Sequence, residues 1–297
     1  MRALVAGAGG QLGVELLKIA PDDFDVTGLK HSELDIADSA AVDKTIERHR
    51  PDVIINAAAY NAVDNAEAHS ELAFRINATG PGNLSRAAER FAAYIIHIST
   101  DYVFDGRSDK SYRTTDATNP LNVYGKTKLA GEEEVARSGA DHLIIRTSWL
   151  FSAQGRNFLQ IILSALKAGK PVQAINDQTS VPTACRGLAN VIWTCAGQRG
   201  PHGLRHWVDL GQATRYDQGV AVREMALAKG LISEAAPIES VPTSHFNPAA
   251  MRPRFSVLDA SEFARELGER QRPWKDGLGE VLDEMSLNQP VSPGRRH

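Results

Sequence analysis

Short apolar runs recur through the first half of the chain, separated by polar and glycine-containing stretches. They fall at residues 2–6, 24–29, 51–55, 94–98 and 142–145. Runs this short and this rich in aliphatic and β-branched residues read as strands buried on both faces of a parallel sheet. Between them the spacing changes to that of helices. Val14, Leu16, Leu17 and Ile19 recur on one side of a helix, and residues 64–90 and 120–137 carry similar patterns. The stretch 64–90 is expected to form one helix, interrupted near Gly80-Pro81-Gly82. Asp38 or Ser39 is placed to cap the helix after Asp35-Ile36-Ala37. Strand and helix signals alternate, which predicts an α/β fold with a doubly wound parallel sheet.

Beyond residue 150 the order loosens. Helices are expected at 157–168, 183–196, 217–229 and 261–268, with a strand at 172–175, and prolines at 182, 237, 242, 248, 253 and 273 interrupt the rest. This divides the chain into a first domain at 1–150 and a smaller mixed α/β lobe at 151–287, with the chain crossing between them. Residues 288–297 have the composition of a disordered tail.

The first strand runs at once into Gly7-Ala-Gly-Gly10-Gln-Leu-Gly13 and then a helix. In that context the glycines point to a dinucleotide. Gly7 allows the tight turn, Gly10 lets backbone approach a pyrophosphate, and Gly13 lets helix pack on strand. The helix start offers unpaired N–H groups to phosphates. The first domain is therefore expected to be Rossmann-type. Lys30 and His31 end the second strand, with no acid before Glu33. A cation there suits a 2′-phosphate, so NADPH is expected and NADH is the alternative; a solvated loop lysine is the plainer reading of Lys30. Asn56-Ala57-Ala58-Ala59-Tyr60 follows the third strand. Its small residues either admit a flat ring system or serve helix packing.

The fourth run leads into Ser99, Thr100 and Asp101, at the strand end where open α/β sheets bind ligands. Downstream, Tyr124 and Lys128 lie four apart on an expected helix, hence on one face. A lysine beside a phenol favours the phenolate and brings its proton exchange towards neutral pH. Such a pair alone is ordinary helix surface; the glycine loop and Thr100 give it meaning.

Composition narrows the remaining classes. The formal charge of -3 over 297 residues argues against a nucleic-acid binder. No apolar run approaches a membrane span, and Met1–Gly7 lacks the pattern of a signal peptide. Cys185 and Cys195 have no metal-ligand spacing and read as reduced structural thiols. The cytoplasm is the expected compartment.

With these residues in place, the chain resembles the dTDP-4-dehydrorhamnose reductases, within the extended short-chain dehydrogenase/reductase superfamily. The resemblance rests on the glycine loop, Pro51-Asp-Val-Ile-Ile-Asn-Ala-Ala-Ala-Tyr60, Ala62-Val-Asp64 and Ser99-Thr-Asp-Tyr-Val-Phe-Asp-Gly106. It continues through Pro120-Leu-Asn-Val-Tyr124-Gly-Lys-Thr-Lys128, Arg146-Thr-Ser-Trp149, Asp177-Gln178, Pro182-Thr183 and Arg252-Pro253 with Ser256 and Leu258. It implies that NADPH delivers hydride to the C4 carbonyl of a dTDP-linked 4-keto-6-deoxy sugar. Tyr124 would protonate the alkoxide, Lys128 would lower the phenol's pKa and hold the nicotinamide ribose, and Thr100 would bond the carbonyl oxygen. Gly10, Gln11, Leu12, Asp35, Ile36, Ala58, Ala59, Tyr60 and Asn61 would contact cofactor. Asp101, Trp149 and Arg252 would contact substrate, with an aromatic between lobes as the plainer reading of Trp149. Thr100-Asp101-Tyr102 lacks the glutamate of the related dehydratases, which favours net reduction.

Departures from the family pattern are equally specific. Ser111-Tyr112-Arg113-Thr114 stands where the family has Pro-Tyr-x-Glu, and Arg252-Pro253-Arg254-Phe255-Ser256 where it has Arg-Pro-x-Asn-Ser. The stretch from Trp207 to Tyr216 also differs, so another 4-keto sugar is the alternative substrate. Some members dimerise through Mg²⁺ held by glutamates. Glu15 and Glu284 match two of these positions, but Arg186 stands where a third would be, so no metal is expected. Monomer and homodimer both remain open. A non-catalytic NADP-binding subunit that partners methionine adenosyltransferase is the rival from another class; intact Thr100, Tyr124 and Lys128 oppose it.

Overall fold

The computed structural model describes residues 1–234 and 236–287; the expected tail at 288–297 lies outside the described residues. The apolar runs form β1 (Arg2–Ala6), β2 (Asp25–Leu29), β3 (Val53–Asn56), β4 (Tyr94–Thr100) and β5 (His142–Thr147). Helices join the first strands: α1 (Gln11–Lys18), α2 (Ser39–His49), then the series α3 (Val63–Ala68), α4 (Ser70–Phe74) and α5 (Gly80–Arg90). Asp38 caps α2, its carboxylate accepting from the Ala41 N–H at 3.1 Å. The catalytic-candidate helix α6 (Val123–Arg137) lies between β4 and β5, capped by Asn122, which accepts from Gly125 N–H at 2.8 Å.

Residues 64–90 do not form one regular helix: the chain opens at His69, and the run that follows widens into a π turn at Arg75–Thr79, directly before Gly80-Pro81-Gly82, where Pro81 has no N–H to give to the ladder. The wide turn presents Asn77, whose amide accepts from Tyr60 N–H at 2.8 Å and donates to Tyr60 O at 3.0 Å and Thr127 Oγ1 at 3.1 Å. A π turn of this kind often marks a functional site. Here it ties the loop after β3 to α6.

After β5 come β6 (Leu150–Phe151), α7 (Phe158–Lys167), β7 (Val172–Ile175), β8 (Thr179–Ser180), β9 (Thr183–Ala184), α8 (Cys185–Gln198) and β10 (Gly203–His206). The chain ends in β11 (Ala213–Thr214), α9 (Arg215–Ala228), β12 (Ile238–Val241), α10 (Ser261–Leu267) and α11 (Trp274–Leu287). The main sheet has six parallel strands in the order β10-β5-β4-β3-β1-β2. Its last strand therefore comes from beyond residue 150, and α8 covers the same face as α1, with Trp193 Nε1 donating to Leu16 O at 3.1 Å.

Strand alternation splits the core in two. Val5, Ile55, Ile96 and Leu143 face α1 and α8, packing with Leu16, Leu188 and Trp193. Leu4, Ile54, Ile95 and Ile144 face the other way, against Val42, Ile46, Leu84 and Val135 of α2, α5 and α6. Both faces are covered, which is why these strands read as unbroken apolar runs. A third core, with Leu159, Ile162, Val222, Ile238 and Leu282, unites α7, α9, β12 and α11 in the second lobe.

Candidate active site

The strand order reverses between β1 and β3, and the carboxyl ends of these strands open onto a cleft of about 720 Å³. Ligands of open α/β sheets bind at such a switch point. Gly7 begins one wall at φ +82°, so close to the loop after β3 that a Cβ would stand 2.5 Å from Ala58 N. Gly13 lets α1 approach the turn, since a Cβ there would lie 2.2 Å from Gly7 O. Only glycine permits both.

Of the expected cofactor residues, Gly7, Gly10, Gln11, Leu12, Asp35, Ile36, Ala58, Ala59, Tyr60 and Asn61 line this cleft. Gly13 packs behind it. Lys30 is exposed and lies over the loop, its Cγ 3.4 Å from where a Gly9 Cβ would be, while its neighbour His31 lines the wall. Gln11 reaches the second lobe, accepting from Asn157 Nδ2 at 2.8 Å. Arg156, unremarked in the sequence, also lines the cleft and is exposed. Its signal was only a basic residue in a loop.

Thr100, Asp101, Tyr124, Lys128 and Trp149 line the same cleft. β4 ends at Thr100, and a short 3-10 turn carries Asp101 and Tyr102 beneath α6. Asp101 is buried and accepts from Ser256 Oγ at 2.5 Å, Ser180 Oγ at 3.1 Å and Thr100 Oγ1 at 3.1 Å. Burial pushes its carboxyl up to about 6, against the pull of those three hydroxyls. Burial likewise raises the Tyr124 phenol, and the Thr100 hydroxyl beside it opposes the rise. The rings of Tyr124 and Tyr102 meet edge to face at 5.8 Å.

The Lys128 ammonium donates to Ile98 O at 2.6 Å and lies 3.4 Å from His97 Nε2, with no hydrogen bond to the Tyr124 phenol. Loss of solvent is the first influence on the phenol, and it acts upward. Burial also lowers Lys128 itself to about 8, with Glu132 opposing. Behind Lys128, buried His97 is held by Asn56 Nδ2 at 3.0 Å. Glu132 accepts from Arg146 at 2.8 and 2.6 Å and from Ser99 Oγ at 2.5 Å, locking α6 to β4 and β5. The family motifs include both Arg146 and Glu132, at the end of Lys128-Leu-Ala-Gly-Glu132; their pairing is visible only in the fold.

Arg252 is not on the cleft wall. It forms a two-pronged pair with Asp64, at 2.5 and 3.1 Å, behind Tyr102. Asp64 is held below the usual carboxylate range by that guanidinium. Trp149 adopts φ +43°, unusual for a bulky side chain, and the Arg215 guanidinium lies 3.6 Å over its ring.

The glutamates considered for a metal are met by the chain's own cations. Arg186 donates to Glu15 and stands 3.5 Å from Glu284, and Lys18 stands 2.6 Å from Glu284. A guanidinium between two carboxylates does not fit a divalent cation at this point.

A Rossmann-type sheet with Thr100, Tyr124 and Lys128 converging beside its glycine loop defines a short-chain dehydrogenase/reductase of the extended type. Residues 1–287 match the family model described as RmlD substrate binding domain, and the chain belongs to that family. It is 38% identical over 293 residues to the dTDP-4-dehydrorhamnose reductase of Salmonella typhimurium, covering 96% of this chain and 98% of that protein. The crystal structure of a Clostridium acetobutylicum dTDP-4-dehydrorhamnose reductase superposes with TM-score 0.90 at 34% identity, covering 96% of this chain and all of that one. A Bacillus anthracis dTDP-4-dehydrorhamnose reductase, solved in complex with NADP, gives 0.89 at 30% identity, covering 95% and 99%.

Proposed function

We propose that this chain reduces the C4 carbonyl of dTDP-4-dehydro-L-rhamnose with NADPH, yielding dTDP-L-rhamnose. The observation that carries this reading is the convergence of Thr100, Tyr124 and Lys128 at the end of β4, in one cleft with the glycine loop. NADPH, bound along that loop, supplies the hydride. Tyr124 gives its phenol proton to the oxygen that becomes the C4 hydroxyl, and Thr100 donates a hydrogen bond to the same oxygen. Lys128 holds the nicotinamide ribose and, one turn from Tyr124, favours the phenolate left after transfer. Asp101 holds the Thr100 hydroxyl by accepting from it until substrate binds, when that proton turns to the C4 oxygen, and Trp149 packs against the sugar. Gly10, Gln11, Leu12, Asp35, Ile36, Ala58, Ala59, Tyr60 and Asn61 contact the cofactor, with Lys30 and His31 at the adenosine end.

In this reading residues 1–150 hold the cofactor and 151–287 mainly the sugar nucleotide. Among the described residues no helix is long and apolar enough to cross a membrane. The proposed compartment is the cytoplasm, with a monomer or homodimer as the acting form and no nucleic-acid partner. Reduction of another nucleotide-linked 4-keto deoxysugar is the second reading, supported by the departures between Trp207 and Tyr216.

The test is a panel of dTDP-4-keto sugars with NADPH and with NADH, followed by absorbance and product identification. Turnover is expected with dTDP-4-dehydro-L-rhamnose and NADPH, and loss of it in Tyr124→Phe. Turnover confined to a different sugar would replace the substrate, and undiminished turnover in Tyr124→Phe would remove the proposed acid.

A further inference from the structure

We infer that Arg215 reads the negative charge of the substrate: stacked on Trp149, its guanidinium binds the diphosphate of the nucleotide sugar. The inference rests on the proposed reduction of a nucleotide-linked sugar and names a residue that recognises it.

The argument begins from charge balance. Arg215 is the first residue of α9, in the second lobe. Its Cζ stands 3.6 Å over the Trp149 ring and 4.8 Å from the Phe158 ring, and Trp149 lines the cleft. The other buried or half-buried guanidiniums around this site have carboxylates: Arg146 has Glu132, Arg252 has Asp64, and Arg186 has Glu15 and Glu284. Arg215 has none among the described residues. Its one side-chain acceptor there is Gln218 Oε1, at 3.0 Å, a single bond for a group with five N–H donors. The nearest acid in sequence, Asp217, is committed elsewhere: its carboxylate accepts from Thr214 N–H at 2.8 Å and Thr214 Oγ1 at 2.7 Å in a capping box.

An unanswered charge drawn out of water is costly. Burial lowers the Arg215 pKa to about 10, which still leaves it charged at neutral pH. The aromatic faces recover part of the cost through cation–π attraction, but they leave the in-plane donors open. Those donors form a fork that matches two oxygens of a phosphoryl group. Trp149 follows Thr147, which pairs with Thr100 across β5 and β4, so the guanidinium stacked on its ring stands at the Thr100 end of the cleft rather than at the glycine loop. The cofactor's pyrophosphate belongs to the loop. The anion left for Arg215 is that of the sugar nucleotide.

Trp149 supplies the second observation. Its φ of +43° is a conformation that a bulky L residue adopts only under constraint from its surroundings. In that conformation the indole lies under the guanidinium, 3.6 Å from Cζ to the ring. Arg215 is thereby fixed without a carboxylate that would compete with the ligand.

Isothermal titration of NADP⁺-loaded protein with dTDP, and separately with thymidine, tests this without turnover. Wild type is expected to bind dTDP far more tightly than thymidine. Arg215→Met is expected to weaken dTDP about tenfold or more and to leave thymidine unchanged. Arg215→Lys should recover only part of the loss, because an ammonium lacks the planar fork. NADP⁺ affinity, unchanged in both, reports that the variants are folded, and Arg215→Gln replaces either one that is not. Equal dTDP affinity in wild type and Arg215→Met overturns the inference, as does a wild type that binds dTDP no better than thymidine. Arg215-dependent dTDP binding in a protein that reduces no 4-keto sugar would sink the reductase reading and spare this one.

Discussion

Lys128 donates its ammonium to the carbonyl oxygen of Ile98 at 2.6 Å, crossing from α6 to the strand that ends in Thr100. The bond anchors the lysine, 2% exposed, in the cleft wall with Tyr124. Burial holds it at about 8, below its ordinary 10.5, so the folded state penalises the charged form. That penalty is full below about pH 8 and fades as pH rises towards 10.5, because the unfolded chain binds the extra proton between those values. Lys128→Met is therefore expected to abolish turnover yet raise the unfolding free energy of cofactor-free protein at pH 7 by about 2 kcal/mol, after the lost Ile98 bond is counted. Urea denaturation at pH 7 and near the upper end of the window checks it. A gain that does not shrink at the higher pH would contradict the assignment.

Asp101 titrates the other way. Burial raises its carboxyl to about 6, so the folded state binds a proton that the unfolded chain releases at its ordinary 3.8. Above about pH 6 the carboxylate accepts from Thr100 and holds that hydroxyl in place. Protonation removes the charge that makes Asp101 a strong acceptor, so Thr100 is held less firmly and kcat/KM of wild type should fall below that pH. Asp101→Asn should be slower at neutral pH and should lack the acid limb. A pH–rate profile for each decides it, and an identical limb in the variant would assign the titration to another group.

The backbone at Trp149 can be weighed separately from its ring. Trp149→Ala and Trp149→Gly delete the same indole, but only glycine adopts φ +43° without strain. The glycine variant is expected to be more stable than the alanine variant by about 1 kcal/mol, against the usual order in which alanine wins. Paired denaturation curves measure the difference. An alanine variant of equal or greater stability would show that the backbone relaxes there.

Arg186 answers two carboxylates, of which Glu15 is only 5% exposed. Arg186→Met strands that charge and is expected to lower stability by about 2–3 kcal/mol. In wild type, MgCl₂ and chelator should leave both thermal midpoint and assembly state unchanged. A magnesium-dependent dimer in light scattering would reverse the assignment.

The parts of the fold that were legible share one cause. Parallel strands covered on both faces must be apolar at every position, so β1, β3, β4 and β5 stand out as runs, and a spacing of four places Tyr124 and Lys128 together whatever surrounds the helix. The irregular stretch has the opposite character. Residues 64–90 carry a continuous helical pattern, yet the turn at Arg75–Thr79 widens where Asn77 bonds Tyr60 and Thr127, partners 17 and 50 residues away. Local spacing holds no trace of such partners.

Chemistry divides along the same line. By itself the sequence determined the doubly wound sheet, the glycine loop at its switch point, and the identities of the threonine, tyrosine and lysine beside it, because those depend on short-range periodicity. Only the tertiary structure decided which charges are answered. It set Lys128 on Ile98 O rather than on the phenol, gave Arg252 to Asp64, closed Arg186 between Glu15 and Glu284, and left Arg215 without a carboxylate over Trp149. Each of those outcomes depends on burial and on pairing between distant segments, and both come into being only when the lobes pack together.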